Sequence, residues 1–165
     1  MTSSTHASAS PRPAAILMWL TYITGFVGTF IGFGTLQQDP PSLAFAGIVA
    51  VTIPGVLSFL RHSVFHASDA VRGGWNYGQR NNFQIEVGLA NLAWGVYALL
   101  AVVLDWGLAA ISAAFLVSGL YFSSVTIFVI VSGDLKDRRI GPLIGIGVWS
   151  VVTLLIGFMG MAAAQ

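Results

Sequence analysis

Few side chains in this sequence can do acid–base or ligand chemistry, and two groups of them lie between residues 61 and 95. Glu86 is the only glutamate, and it lies in the stretch Phe83-Gln84-Ile85-Glu86-Val87-Gly88-Leu89-Ala90-Asn91-Leu92-Ala93-Trp94-Gly95. Carboxyl and amide groups inside a long apolar helix are expensive, so they face a partner or a cavity. Two roles are open to Glu86. It can accept a proton or touch a ligand, or it can form a structural pair with Arg61, Arg72 or Arg80 that fixes the start of its helix. Burial opposes its charge there, and the helix dipole favours it. On a helix, Gln84, Gly88, Asn91 and Gly95 share one face, and Glu86, Ala90, Ala93 and Tyr97 share another. Glu86 and Asn91 are then about 140° apart around the axis, able to border one cleft without touching. The expected polar pocket comprises Glu86, Asn91, Gln84, Arg80 and Arg61.

A second constellation precedes it. His62, His66 and Asp69 fall at i, i+4 and i+7 and share a face if one helix runs through them. Two imidazoles and a carboxylate so placed can hold a divalent metal. The structural alternative is a polar strip at the headgroup level. The sequence has no cysteine, which excludes disulfides, thiolate metal sites and cysteine nucleophiles. It also has no phosphate loop, nucleophile elbow or zincin motif.

The elements that position these residues follow from composition. The chain has 165 residues, 56% hydrophobic and only 8% charged, against roughly 25% charged in a soluble domain. Charge this sparse cannot cover a water-facing surface, so the expected fold is all-α, an integral membrane bundle in contact with the lipid bilayer. Residues 1–13 read as a disordered tail, and 14–163 as a single helical domain. Apolar runs place five spans at about 14–36, 43–60, 83–104, 108–131 and 142–163. Run 14–36 is too long for the apolar part of a signal peptide. Pro54-Gly55 inside the second run predicts a kink. A re-entrant second run is the alternative. Gly28 and Gly32 in the first span, and Gly88 and Gly95 in the third, predict close helix packing.

Five spans put all seven basic residues on one side: Arg12, Arg61, Arg72, Arg80, Lys136, Arg138 and Arg139. Asp39 and Asp105 fall on the other. Positive loops stay inside, so the N-terminus is expected in the cytoplasm and the C-terminus outside. The Lys136–Arg139 cluster reads as a topology anchor able to touch anionic lipid. It is too small to argue for nucleic acid.

Phe65-His66-Ala67-Ser68-Asp69-Ala70-Val71, then Gly74-Trp75, then the Phe83–Gly95 stretch resemble a family of small prokaryotic multi-span membrane proteins of unknown function. Its members carry a similar FQ-E-G-ANL-G helix after a GW loop. The likeness is close over about a quarter of the chain and looser in the hydropathy of the rest. The family pattern has a Gly-His and Asn-Gly-rich segment after the fourth helix, where this chain departs from it, so no site is carried over there. A looser likeness, to DoxX-like proteins with their Glu-x-x-Gly helix, implies a quinone- or metal-linked redox role.

Three functions are therefore expected, in descending order. The first is a non-enzymatic accessory or scaffold component of a prokaryotic plasma membrane, without a cofactor, acting as a homo-oligomer or a subunit of a membrane complex. The second is a small oligomeric transporter or channel centred on Glu86 and Asn91. The third is a redox protein using a divalent metal or quinone near His62, His66 and Asp69.

Overall fold

The structure, a computed structural model, describes residues 9–74, 81–131 and 140–165. Arg80, Trp75, Tyr77 and the 132–139 loop lie outside the described residues. Those described form helices joined by turns. They are α1 Arg12–Thr35, α2 Ala44–Val64, α3 His66–Gly73, α4 Asn82–Val103, α5 Leu108–Val131 and α6 Ile140–Ala163. All but the short α3 are long and apolar enough to cross a membrane.

The side-chain distribution is compatible with a bundle in an apolar solvent. On α1 the inward face is Ala14, Met18, Thr21, Gly25, Gly28, Thr29 and Gly32. Its outward face is Trp19, Ile23, Val27 and Phe30, all exposed. Small and weakly polar residues inside with large apolar ones outside is the membrane pattern, because lipid gives no reason to hide a leucine. Several inward hydroxyls are satisfied within their own helices. Thr29, Ser112, Ser118 and Thr153 each donate to the carbonyl four residues back, at 2.7–2.8 Å.

The second span departs from its expected bounds. The helix runs past the apolar run 43–60 to Val64, so Arg61 and His62 are helical, as the spacing of His62, His66 and Asp69 required. It also contains two wide turns. Pro54 lacks an N–H, and its ring would press on the carbonyl four residues back. The helix widens over Ile48–Thr52, and Ile53 N–H bonds to the Ile48 carbonyl five residues back. That extra residue per turn accommodates the proline without ending the helix. A second wide turn covers Leu60–Val64, where Phe65 N–H reaches the Leu60 carbonyl at 2.8 Å.

Helix α2 runs between α1 and α4, and α5 packs along α6, which also touches α1. Glycines set these distances. A Cβ on Gly28 would strike the Ala50 backbone, and one on Gly32 would sit 3.2 Å from Leu43. A Cβ on Gly55 would lie 2.6 Å from the Asn91 carbonyl oxygen and 2.9 Å from Gly95 Cα, while one on Gly95 would lie 3.2 Å from Gly55 Cα. Gly55→Val is therefore expected to force α2 and α4 apart and cost about 1–3 kcal/mol, read as a lower unfolding midpoint in detergent. An unchanged midpoint would mean the backbones do not meet there.

The turns divide by chemistry. At one end, Asp105-Trp106-Gly107 joins α4 to α5, with Gly107 at φ +86°. The α1–α2 turn lies beside it, and Pro41, Ser42, Asp105 and Leu108 line a shallow cleft of about 160 Å³ between them. The other end gathers the start of α1, the end of α2, all of α3 and the start of α4. It carries Arg12, Arg61 and Arg72.

Candidate functional site

The wide turn at the end of α2 creates the polar centre. Phe65, at φ −97° and ψ +31°, then breaks the helix, and α3 restarts at His66 in a new direction. Gly74, at φ +71°, closes α3 in the left-handed conformation favoured by glycine. Asp69 lies in the first turn of α3, where the helix dipole favours a carboxylate. Its side chain is fully buried.

Asp69 is surrounded by donors from three helices. Arg72 gives Nη2 and Nε to Oδ1 at 3.0 and 3.1 Å. Arg61 Nε stands 3.7 Å from the same oxygen. Gln84, from the first turn of α4, donates Nε2 to Oδ2 at 3.1 Å and also lies 3.2 Å from the His66 carbonyl. His62 Nδ1 is 2.8 Å from Oδ2, a short contact whose N–H is not lined up on the oxygen. The other nitrogen of His62, Nε2, meets the Arg61 guanidinium. A guanidinium only donates, so Nε2 accepts and the imidazole is neutral with its proton on Nδ1.

Neighbouring contacts tie α3 to α1. Ser68 Oγ donates to the Ser10 carbonyl at 2.6 Å and accepts from Ala14 N–H at 3.1 Å. Arg72 Nη1 lies 3.1 Å from the Met18 sulfur. Gly88 lets α4 approach the wide turn, because a Cβ there would meet the Ser63 hydroxyl and come within 3.1 Å of His62 Cβ. Asn81 caps α4 by accepting from Gln84 N–H at 3.4 Å, which sets the register that aims Gln84 at Asp69.

Burial alone would push the Asp69 carboxyl up. The His62 contact and the Arg61 and Arg72 charges outweigh it and hold the group down at about 2, against an ordinary 3.8. Asp69 ionisation thus contributes stability that is complete above about pH 4, shrinks as the pH falls toward 2, and is gone below that. The contribution is about 2 kcal/mol. Acid unfolding of the wild type should carry this component between pH 4 and 2, and Asp69→Asn should remove it.

The sequence-derived residues distribute unevenly around this centre. Arg61, His62, Asp69 and Gln84 come together. His66 does not join them, and its Nδ1 lies 3.2 Å from the Ser63 carbonyl. The wide turn and the Phe65 break rotate it away from the face expected of a continuous helix. Among the described residues there is no group of three His, Cys, Asp or Glu side chains placed to hold a metal. Glu86 is exposed on the outer side of α4, away from the Asp69 cluster. Asn91 is buried and donates to the Val87 carbonyl of its own helix at 2.7 Å. Arg80 lies outside the described residues.

Ser68 was not singled out from sequence as a member of a site, and Arg72 was named only as a partner for Glu86, not for Asp69. The signal for Arg72 was present, because Asp69 and Arg72 are three residues apart on one helical face.

No curated protein and no solved structure matches the chain. The model of a family of unknown function, DUF6790, matches residues 15–163, which takes in α2 to α6 and all but the first three residues of α1. With nearly the whole chain matched, this helical protein, five of whose helices are long and apolar enough to cross a membrane, belongs to the DUF6790 family.

Proposed function

We propose that the protein is a non-enzymatic accessory component of a prokaryotic plasma membrane, with its basic end in the cytoplasm and its C-terminus outside. The observation that carries this reading is the use made of the polar side chains. Arg61, His62, Asp69, Arg72 and Gln84 bind one another and fasten α3 across the ends of α1, α2 and α4. A clamped helix on the basic face is suited to presenting a fixed surface to a partner. The orientation is supported by the charge pattern, since the opposite turns carry Asp39 and Asp105 and no basic residue.

A pathway through a single copy has little support. The interior between the ends is lined by Ala46, Ala50, Val51, Ala98, Ala101, Phe115 and Ile156. Glu86 faces outward, where it does not line that interior.

The test is purification of the untagged-partner complex from native membranes in mild detergent, followed by mass spectrometry. A defined membrane partner in fixed ratio is the expected result. A stable homo-oligomer with no partner would overturn the accessory reading. Flux into proteoliposomes that falls in Glu86→Gln would favour the transporter reading instead.

A further inference from the structure

Within the Asp69 cluster, donors outnumber acceptors. One carboxylate receives Arg72 Nε and Nη2, Gln84 Nε2, the His62 Nδ1 contact and the distant Arg61 Nε. Arg61 Nε is buried and makes no hydrogen bond among the described residues. Arg72 Nη1 is left with the Met18 thioether, a weak acceptor for a guanidinium. The charges are equally unbalanced: among the described residues of the cluster, two guanidiniums face one carboxylate. A buried surplus cation with unmatched N–H groups is costly, and each unmatched group calls for a partner.

Both guanidiniums converge on the same oxygen, Asp69 Oδ1, so their remaining N–H groups are within reach of one further group. Planar guanidinium forks match a group with two or more anionic oxygens better than any point charge. The Arg72 side chain is 28% exposed and that of Arg61 14%, so the cluster reaches the surface at Arg72.

We propose that the seam formed by Met18, Arg61 and Arg72 is a binding site for an oxyanion, a carboxylate or a phosphate, which replaces the Met18 sulfur as the partner of Arg72 and takes the free N–H of Arg61. The same chemistry is offered by a soluble anion from the cytoplasmic side and by the phosphate of an anionic lipid. This site goes beyond the accessory role and does not depend on it, since the chain can bind an oxyanion with or without a protein partner.

The experiment uses the full chain in nanodiscs and reads the thermal unfolding midpoint. One arm titrates inorganic phosphate into discs of phosphatidylcholine, against sodium chloride at equal ionic strength. The other replaces part of the phosphatidylcholine with phosphatidylglycerol. A saturable rise of about 5 °C is expected in at least one arm. A rise with phosphate identifies a soluble oxyanion, and a rise with phosphatidylglycerol alone identifies a lipid headgroup. No rise in either arm overturns the site. Arg72→Gln should abolish the rise. Should that variant fail to fold, Met18→Gln decides, because it supplies a carbonyl oxygen where the thioether stands. It should raise the midpoint without probe and shrink the response to it. A full response in Met18→Gln would overturn the assignment.

Discussion

Asp69→Ala should lose about 3–5 kcal/mol of unfolding free energy, the characteristic cost of removing one partner from a buried ion pair. The loss has little to do with the attraction deleted. It comes from Arg61 and Arg72, which stay at the helix junction with no carboxylate to meet. Gln84 and His62 lose their acceptor in the same step. Because Asp69 is the contact common to α2, α3 and α4, the damage should be local first. Amides of α3 should exchange with solvent faster, before the five long helices separate. Hydrogen exchange on the variant in detergent would show this. Uniform loss of protection along the chain, with α3 no more affected than α1, would contradict the clamp.

Trp149→Ala is the second large effect, and its cause is packing. Trp149 is 1% exposed and is the largest fully buried side chain among the described residues. Its ring stacks on Phe122 at a centroid distance of 4.6 Å, meets Tyr22 edge-on at 6.2 Å, and lies so close to Gly25 that any Cβ there would collide with it. In lipid the transfer of apolar surface gives little, so the loss is chiefly the cavity left behind. At about 24 cal/mol per Å³, a void of about 130 Å³ costs about 3 kcal/mol. Trp149→Phe should recover a large part of this. If Trp149→Ala unfolds at the wild-type midpoint, α6 does not pack against α1 and α5 as described.

The span count was legible because it rests on length and apolarity, which survive any detail of packing. The inward face of α4 was legible too. Gln84, Gly88, Asn91 and Gly95 are buried at the helical spacing their positions imply. The weight placed on Glu86 came from its charge, and charge does not reveal facing. Glu86 is two residues from Gln84 and so about 200° around the helix, on the outer side. The Asp69 centre was only half legible. The spacing of His62, His66 and Asp69 assumes regular turns, and nothing in Leu60-Arg61-His62-Ser63-Val64 marks a wide one. One extra residue in that turn was enough to separate His66 from the other two and to bring Arg61 in. The proline at 54 was visible, but the wide turn over Ile48–Thr52 that accommodates it was not, since no residue type in that run marks one.

The central claim is that the chain is organised around Asp69 rather than Glu86. The most direct measurement is the unfolding free energy of Asp69→Asn and Glu86→Gln, each neutralising one carboxylate at nearly constant shape, in the same detergent at pH 7. The expected result is a loss of about 3 kcal/mol or more for Asp69→Asn and a change within about 0.5 kcal/mol for Glu86→Gln. A large loss in Glu86→Gln with Asp69→Asn near wild type would contradict the account.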